Sequence, residues 1–200
     1  ADNFAGRDRE IRELRALIGG RGVVVVVGPS GCGKSSLVRA GVRPALERAE
    51  YEVLPVARLG EAARGGRGVA GHDAGRSTVF ERNIASYLME QGEREGPRPL
   101  IDALQSRERV VASDGTSMPR VLVIDQFEEL FTTHLAAWRD RPALLRTILS
   151  ANDGALDTRM VLVLRAEYLS AFAALLAREG EGTSAQARSV AYYHVERLTQ

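Results

Sequence analysis

The chain has 200 residues, 44% of them hydrophobic, which suits one domain with a sizeable core. Its 27 basic and 26 acidic residues leave a net charge of +1, so charge makes no case for nucleic acid or a membrane surface as a bulk partner. The single cysteine permits no intrachain disulfide, no apolar run reaches the roughly eighteen residues of a membrane helix, and the N-terminus lacks a signal-like apolar core; a cytoplasmic protein is expected. The chain starts at Ala1 rather than Met and is read as a piece of a longer protein.

The segment Phe4 to Glu10 precedes a helix expected to run to about Ile18, because Ile11, Leu14, Leu17 and Ile18 recur at helical spacing. By its residues alone Gly6-Arg7-Asp8 reads as a turn, with Asp8 as the N-cap. Five consecutive valines, Val23 to Val27, then have the length of a strand and no polar face, the signature of a strand covered on both sides in a parallel sheet.

That strand breaks into Gly28-Pro29-Ser30-Gly31-Cys32-Gly33-Lys34-Ser35-Ser36, whose Gly-x-x-x-x-Gly-Lys-Ser spacing is a phosphate-binding P-loop between a strand and a helix. Glycines at 28, 31 and 33 are expected to let the backbone turn so that its N–H groups face a phosphate chain. The start of the following helix adds the positive end of its dipole. Lys34 would reach the β and γ phosphates and Ser35 would offer its hydroxyl to Mg²⁺. Of the 27 basic residues 26 are arginine, and Lys34 is the only lysine. A compact ammonium inside a tight loop is a task that a planar guanidinium cannot take over.

Leu37, Val38, Val42 and Leu46 continue as a helix with a bend expected at Pro44. Residues 51–57 read as a second strand, which Pro55 assigns to a sheet edge. Residues 60–76 hold six glycines and few apolar groups and are expected to be a flexible loop. Helical spacing returns over 79–89 and again over 100–111, and residues 113–119 carry turn chemistry.

Val121-Leu122-Val123-Ile124 is a second buried strand, ending in Asp125, where ligands of parallel α/β sheets collect. Beside a P-loop, Asp125 can hold Mg²⁺ directly or through water; the competing reading is a helix cap. Glu128 and Glu129 are the candidates for polarising an attacking water, Glu128 being preferred. His134 has no partner at metal spacing and reads, with Trp138, as part of the same helical run. A helix opened by Pro142 through Leu149, a strand over 160–165, a helix over 168–176 and a strand over 190–195 complete the pattern. Arg165, at a strand tip, could sense the γ phosphate or simply pair with Glu167 or Glu128.

Four stretches together resemble the novel STAND NTPase domain, a branch of the signal-transduction ATPases related to the NACHT and AAA+ groups. They are residues 4–10, 28–41, Asp125 to Thr132 (DQFEELFT) and Leu164 to Leu169 (LRAEYL), of which the DQFEE run is the most specific. The resemblance implies an α/β three-layer sandwich with a five-stranded parallel sheet of order 5-1-4-3-2. It implies Gly6 and Arg7 near the adenine of ATP or ADP, and Arg165 as the sensor on the fourth strand. It also implies self-association, with effector and WD-repeat or tetratricopeptide sensor domains outside this chain.

Two functions stay open: a slow ATPase switch, and an ADP/ATP-exchanging assembly module with negligible hydrolysis, favoured by Gln126 directly after Asp125. A small-molecule kinase is a third class, although no segment reads clearly as an arginine-bearing lid. A GTPase needs an Asn-Lys-x-Asp motif, and the only lysine is in the P-loop; the Leu-Ser-Gly-Gly-Gln transporter signature is also missing.

Overall fold

The computed structural model describes residues 6–61, 77–89, 99–152, 156–180 and 190–197. Five strands form one wholly parallel sheet: β1 (Val23–Gly28), β2 (Glu52–Val53), β3 (Arg120–Ile124), β4 (Thr158–Arg165) and β5 (Val190–His194). Their order across the sheet is β2-β3-β4-β1-β5, the order expected. The five valines explain the layering. Val23, Val25 and Val27 enter one core and Val24 and Val26 the other, because successive strand residues point to opposite faces. β3 and β4 divide in the same way, with Leu122, Ile124, Met160, Leu162 and Leu164 on the first side and Val121, Val123, Val161 and Val163 on the second.

On the second side pack α1 (Asp8–Gly20), through Leu14 and Ile18, and the helical run after the P-loop, through Leu37, Val38, Val42 and Leu46. That run comprises α2 (Lys34–Ser36), a π-helical stretch (Leu37–Val42) and α3 (Arg43–Glu47). The bend expected at Pro44 is therefore a widened turn. The proline ring would collide with the carbonyl of Ala40 in regular α geometry, and the π spacing just before it relieves that contact.

The first side is covered by α4 (Val79–Leu88), α5 (Leu100–Ser106), α6 (Glu129–Thr132), α7 (Arg141–Ser150) and α8 (Leu169–Gly180), whose Phe80, Ile84, Leu100, Leu130, Leu144, Ile148 and Phe172 are fully buried. α4 starts at a capping box. The Thr78 hydroxyl accepts from the Glu81 N–H at 3.1 Å, and the Glu81 carboxylate accepts from the Thr78 N–H at 2.7 Å.

Several expectations are corrected. No side chain caps α1, so Asp8 is a first-turn acid rather than its N-cap. α5 stops at Ser106 instead of reaching residue 111. Arg107 is extended, and β-branched Val110 and Val111 enter a short hairpin with the Val111–Ser117 bridge. The run from Glu129 ends at Thr132, Thr133 is extended and His134 has a φ of +46° in the left-handed region; Trp138 belongs to a separate 3₁₀ stretch, Leu135–Asp140. The second strand pairs regularly only at Glu52 and Val53. After Pro55, which has no N–H to give, Ala57 rejoins the edge against Ile124. Most of the glycine-rich stretch, residues 62–76, lies outside the described residues, as do 90–98, 153–155 and 181–189.

Candidate functional site

The C-terminal ends of β1, β3 and β4 meet at one edge of the sheet, where parallel α/β sheets bind ligands. Parallel register sets the neighbours: Gly28 lies opposite Arg165. The loop leaving β1 exposes Pro29, Ser30 and Gly31 and buries Cys32. Gly31 (φ +75°) and Gly33 (φ +87°) take the left-handed conformations that the turn requires. Gly28 is glycine for another reason. A Cβ there would lie 2.4 Å from the Val195 carbonyl oxygen and 2.9 Å from Cys32 Sγ.

The Lys34 side chain curls back over the loop and is buried; its Nζ donates to the carbonyls of Gly28 (2.7 Å) and Pro29 (2.8 Å). Ser35 lies in the first turn of the helix and its hydroxyl donates to Asp125 Oδ1 at 2.8 Å, joining two oxygen donors that lie 90 residues apart in sequence. Ser36 points to solvent. Asp125 is 2% exposed. Its Oδ1 also accepts from the Gln126 N–H at 3.0 Å, while Oδ2 accepts from Arg39 Nη2 at 2.9 Å. Gln126 reaches this contact with a φ of +55°, which turns the chain sharply off β3.

Glu128 and Glu129 part company. Glu128, buried, pairs with Arg165: Oε1 accepts from Nε at 2.8 Å and Oε2 from the Arg165 backbone N–H at 3.3 Å. Glu129 turns the other way and holds the 59–60 turn, its Oε2 accepting from the N–H groups of Leu59 (3.0 Å) and Gly60 (2.7 Å). His134 Nε2 lies beside it, 3.0 Å from the Gly60 carbonyl oxygen and 3.3 Å from Asn83 Nδ2, and so fastens the same turn.

Arg7 is 2% exposed beneath the loop. Its Nη2 donates to the carbonyls of Cys32 (2.9 Å) and Glu196 (3.1 Å), tying the N-terminal segment to the P-loop and to the chain leaving β5. Nη1 is buried and has no partner among the described residues. Gly6 precedes it with a φ of +93°.

The structure thus brings together Arg7, residues 28–35, Asp125, Glu128 and Arg165, and directs Glu129 elsewhere. Arg39 was missed by the motif, although its place four residues after Ser35 on a helix puts both on one face.

No His, Cys, Asp or Glu cluster of three or more could hold a metal by itself among the described residues. The Ser35–Asp125 pair supplies hard oxygen donors, one charged and one neutral, at the mouth of the loop. That donor set fits Mg²⁺, which keeps water and phosphate oxygens in most of its shell and needs few protein ligands.

Comparison with known proteins fits this geometry. The Aeropyrum pernix ORC2 protein in its ADPNP–ADP complexes aligns with a TM-score of 0.54 at 18% identity, over 96% of this chain and 48% of that one. Its ADP form gives 0.54 at 15%, over 98% and 49%. A chain of Drosophila ORC bound to DNA gives 0.54 at 16%, over 98% and 44%. These likenesses show the fold, and the chain spans about half the length of the solved structures it matches. No curated protein matches it significantly in sequence. No helix among the described residues is long and apolar enough to cross a membrane. The model of the family Novel STAND NTPase 1 matches residues 1–198, so the chain belongs to that family and is a nucleotide-binding P-loop NTPase module.

Proposed function

We propose that this chain is the ATP-dependent switch of a cytoplasmic signalling protein, binding Mg-ATP, hydrolysing it slowly and transmitting its nucleotide state to attached domains or further copies. The contact of Ser35 with Asp125 across the mouth of the P-loop carries this reading. It joins the phosphate loop of β1 to the acid of β3 at the sheet edge where nucleotides bind in such folds.

In this reading the loop N–H groups of residues 31–35 cradle the phosphates. Lys34 exchanges two neutral carbonyls for β and γ phosphate oxygens, which are stronger acceptors. Ser35 and Asp125 hold Mg²⁺, which neutralises charge on the transferring phosphoryl group when bound. Glu128 orients the attacking water once Arg165 leaves it for the γ phosphate. The unpartnered Nη1 of Arg7 supplies a buried donor for an acceptor on the adenine.

The exchange module is kept as a second reading by one observation. Both oxygens of Glu128 already accept from Arg165, an ion pair with which a water must compete for this carboxylate.

Calorimetric titration with ATP, ADP and GTP in Mg²⁺, for the wild type and Lys34→Ala, tests binding. Adenine-selective binding that weakens at least tenfold in the variant is expected, since a hydrogen bond to a charged group is worth about 1.5–3 kcal/mol. Absent binding by the folded wild type would overturn the reading. Phosphate release by the wild type then separates switch from exchange module.

A further inference from the structure

We propose that Arg39 is the resident counter-ion of the metal site, a positioning residue that holds Asp125 Oδ2 and yields it when a divalent cation arrives. The inference rests on the Mg-nucleotide reading above and adds to it a residue that sets how readily the site loads.

The two oxygens of Asp125 have different duties. Oδ1 accepts from Ser35 Oγ and from the Gln126 N–H, which uses both of its lone pairs. Oδ2 accepts from Arg39 at 2.9 Å. A cation, or a water of its shell, therefore reaches this carboxylate through the remaining lone pair of Oδ2, the oxygen that the guanidinium also holds. A divalent cation arriving on that oxygen meets the positive charge of the guanidinium at close range, so the two compete for it.

Burial decides which partner moves. The Asp125 side chain is 3% exposed and cannot find water, whereas the Arg39 side chain is 49% exposed and can swing into solvent still hydrated. The carboxylate stays compensated throughout, by arginine before loading and by the cation after. An uncompensated buried carboxylate would be costly in the empty protein, and a permanent salt bridge would block the metal. A half-exposed arginine on the helix face of Ser35 avoids both.

The test titrates Mn²⁺ into the ADP-saturated chain and follows bound Mn²⁺ by electron paramagnetic resonance, for wild type, Arg39→Gln and Arg39→Lys. Arg39→Gln is expected to lower the Mn²⁺ concentration at half-loading about two- to fivefold, the range of a half-exposed ion pair. Arg39→Lys, which keeps the charge on a compact head, should fall between the two. ADP affinity in EDTA should be unchanged in both, and melting curves verify folding. Unchanged half-loading in the folded variants overturns the inference and leaves the Mg-nucleotide reading standing. Half-loading at higher Mn²⁺ also overturns it, because Arg39 would then assist the metal complex. A wild type that binds no Mn²⁺ with ADP overturns both.

Discussion

Replacing Arg120 with methionine tests what the interior of this fold tolerates. Arg120 opens β3, is 1% exposed, and spends its guanidinium on the Glu52 carboxylate (2.7 Å) and on the carbonyls of Leu104 (2.7 Å), Arg107 (2.9 Å) and Glu108. Methionine fills much of the same volume but donates nothing. It leaves the Glu52 carboxylate, whose side chain is 11% exposed, with the longer Arg107 pair at 3.8 Å in place of the 2.7 Å one, and it strands three carbonyls that close the turn after α5. Removing one partner of a buried ion pair costs about 3–5 kcal/mol, chiefly for the charge left behind. At about 2–4 °C per kcal/mol for a chain of this size, the melting temperature should fall by roughly 6–20 °C. Thermal and urea unfolding followed by circular dichroism would read this. Adding Glu52→Gln should return part of the loss, because the under-compensated group is then neutral. A loss under about 1 kcal/mol, or a double variant no more stable than Arg120→Met, would refute the argument that the under-compensated charge dominates.

Gly28→Ala should destabilise by about 1–3 kcal/mol through overpacking against the Val195 carbonyl, read as a lower urea midpoint with unchanged slope; an unchanged midpoint refutes the contact. Glu128→Gln should slow ATP turnover at least tenfold with ADP affinity preserved, whereas Glu129→Gln should lower stability by roughly 1 kcal/mol with turnover retained. Single-turnover phosphate release and melting curves separate the two, and equal effects would refute the division of roles.

What could be read from sequence was what local chemistry dictates. Val23 to Val27 has no polar position, so only a strand covered on both faces suits it, and a P-loop at its end fixes the site edge. The place of Asp125 beside the P-loop was legible because an acid ending an apolar strand lies at the ligand edge of a parallel sheet. The strand order came from resemblance, since pairing partners far apart in sequence leave no mark on periodicity. Glu128 and Glu129 are chemically identical neighbours, and only the position of the 59–60 turn tells them apart. His134 satisfies helical spacing, yet α6 stops at Thr132, and His134 sits against the 59–60 turn on a left-handed backbone. Arg39 and Arg120 are two of 26 arginines, and nothing in composition marks which one faces Asp125 and which is buried against Glu52.

The packing of Val195 on Gly28 changes what the first glycine of the motif can report. Gly28 is required by the way the chain leaves β5, whether or not a phosphate ever enters the loop. A relative that had lost its nucleotide would still be held to glycine at this position by its own fifth strand. Lys34 has no such obligation: its contacts with the carbonyls of Gly28 and Pro29 serve the loop alone. Decay of activity among such chains should therefore erode the lysine first and leave the leading glycine as a relic, so a surviving glycine testifies to the architecture and a surviving lysine to the work.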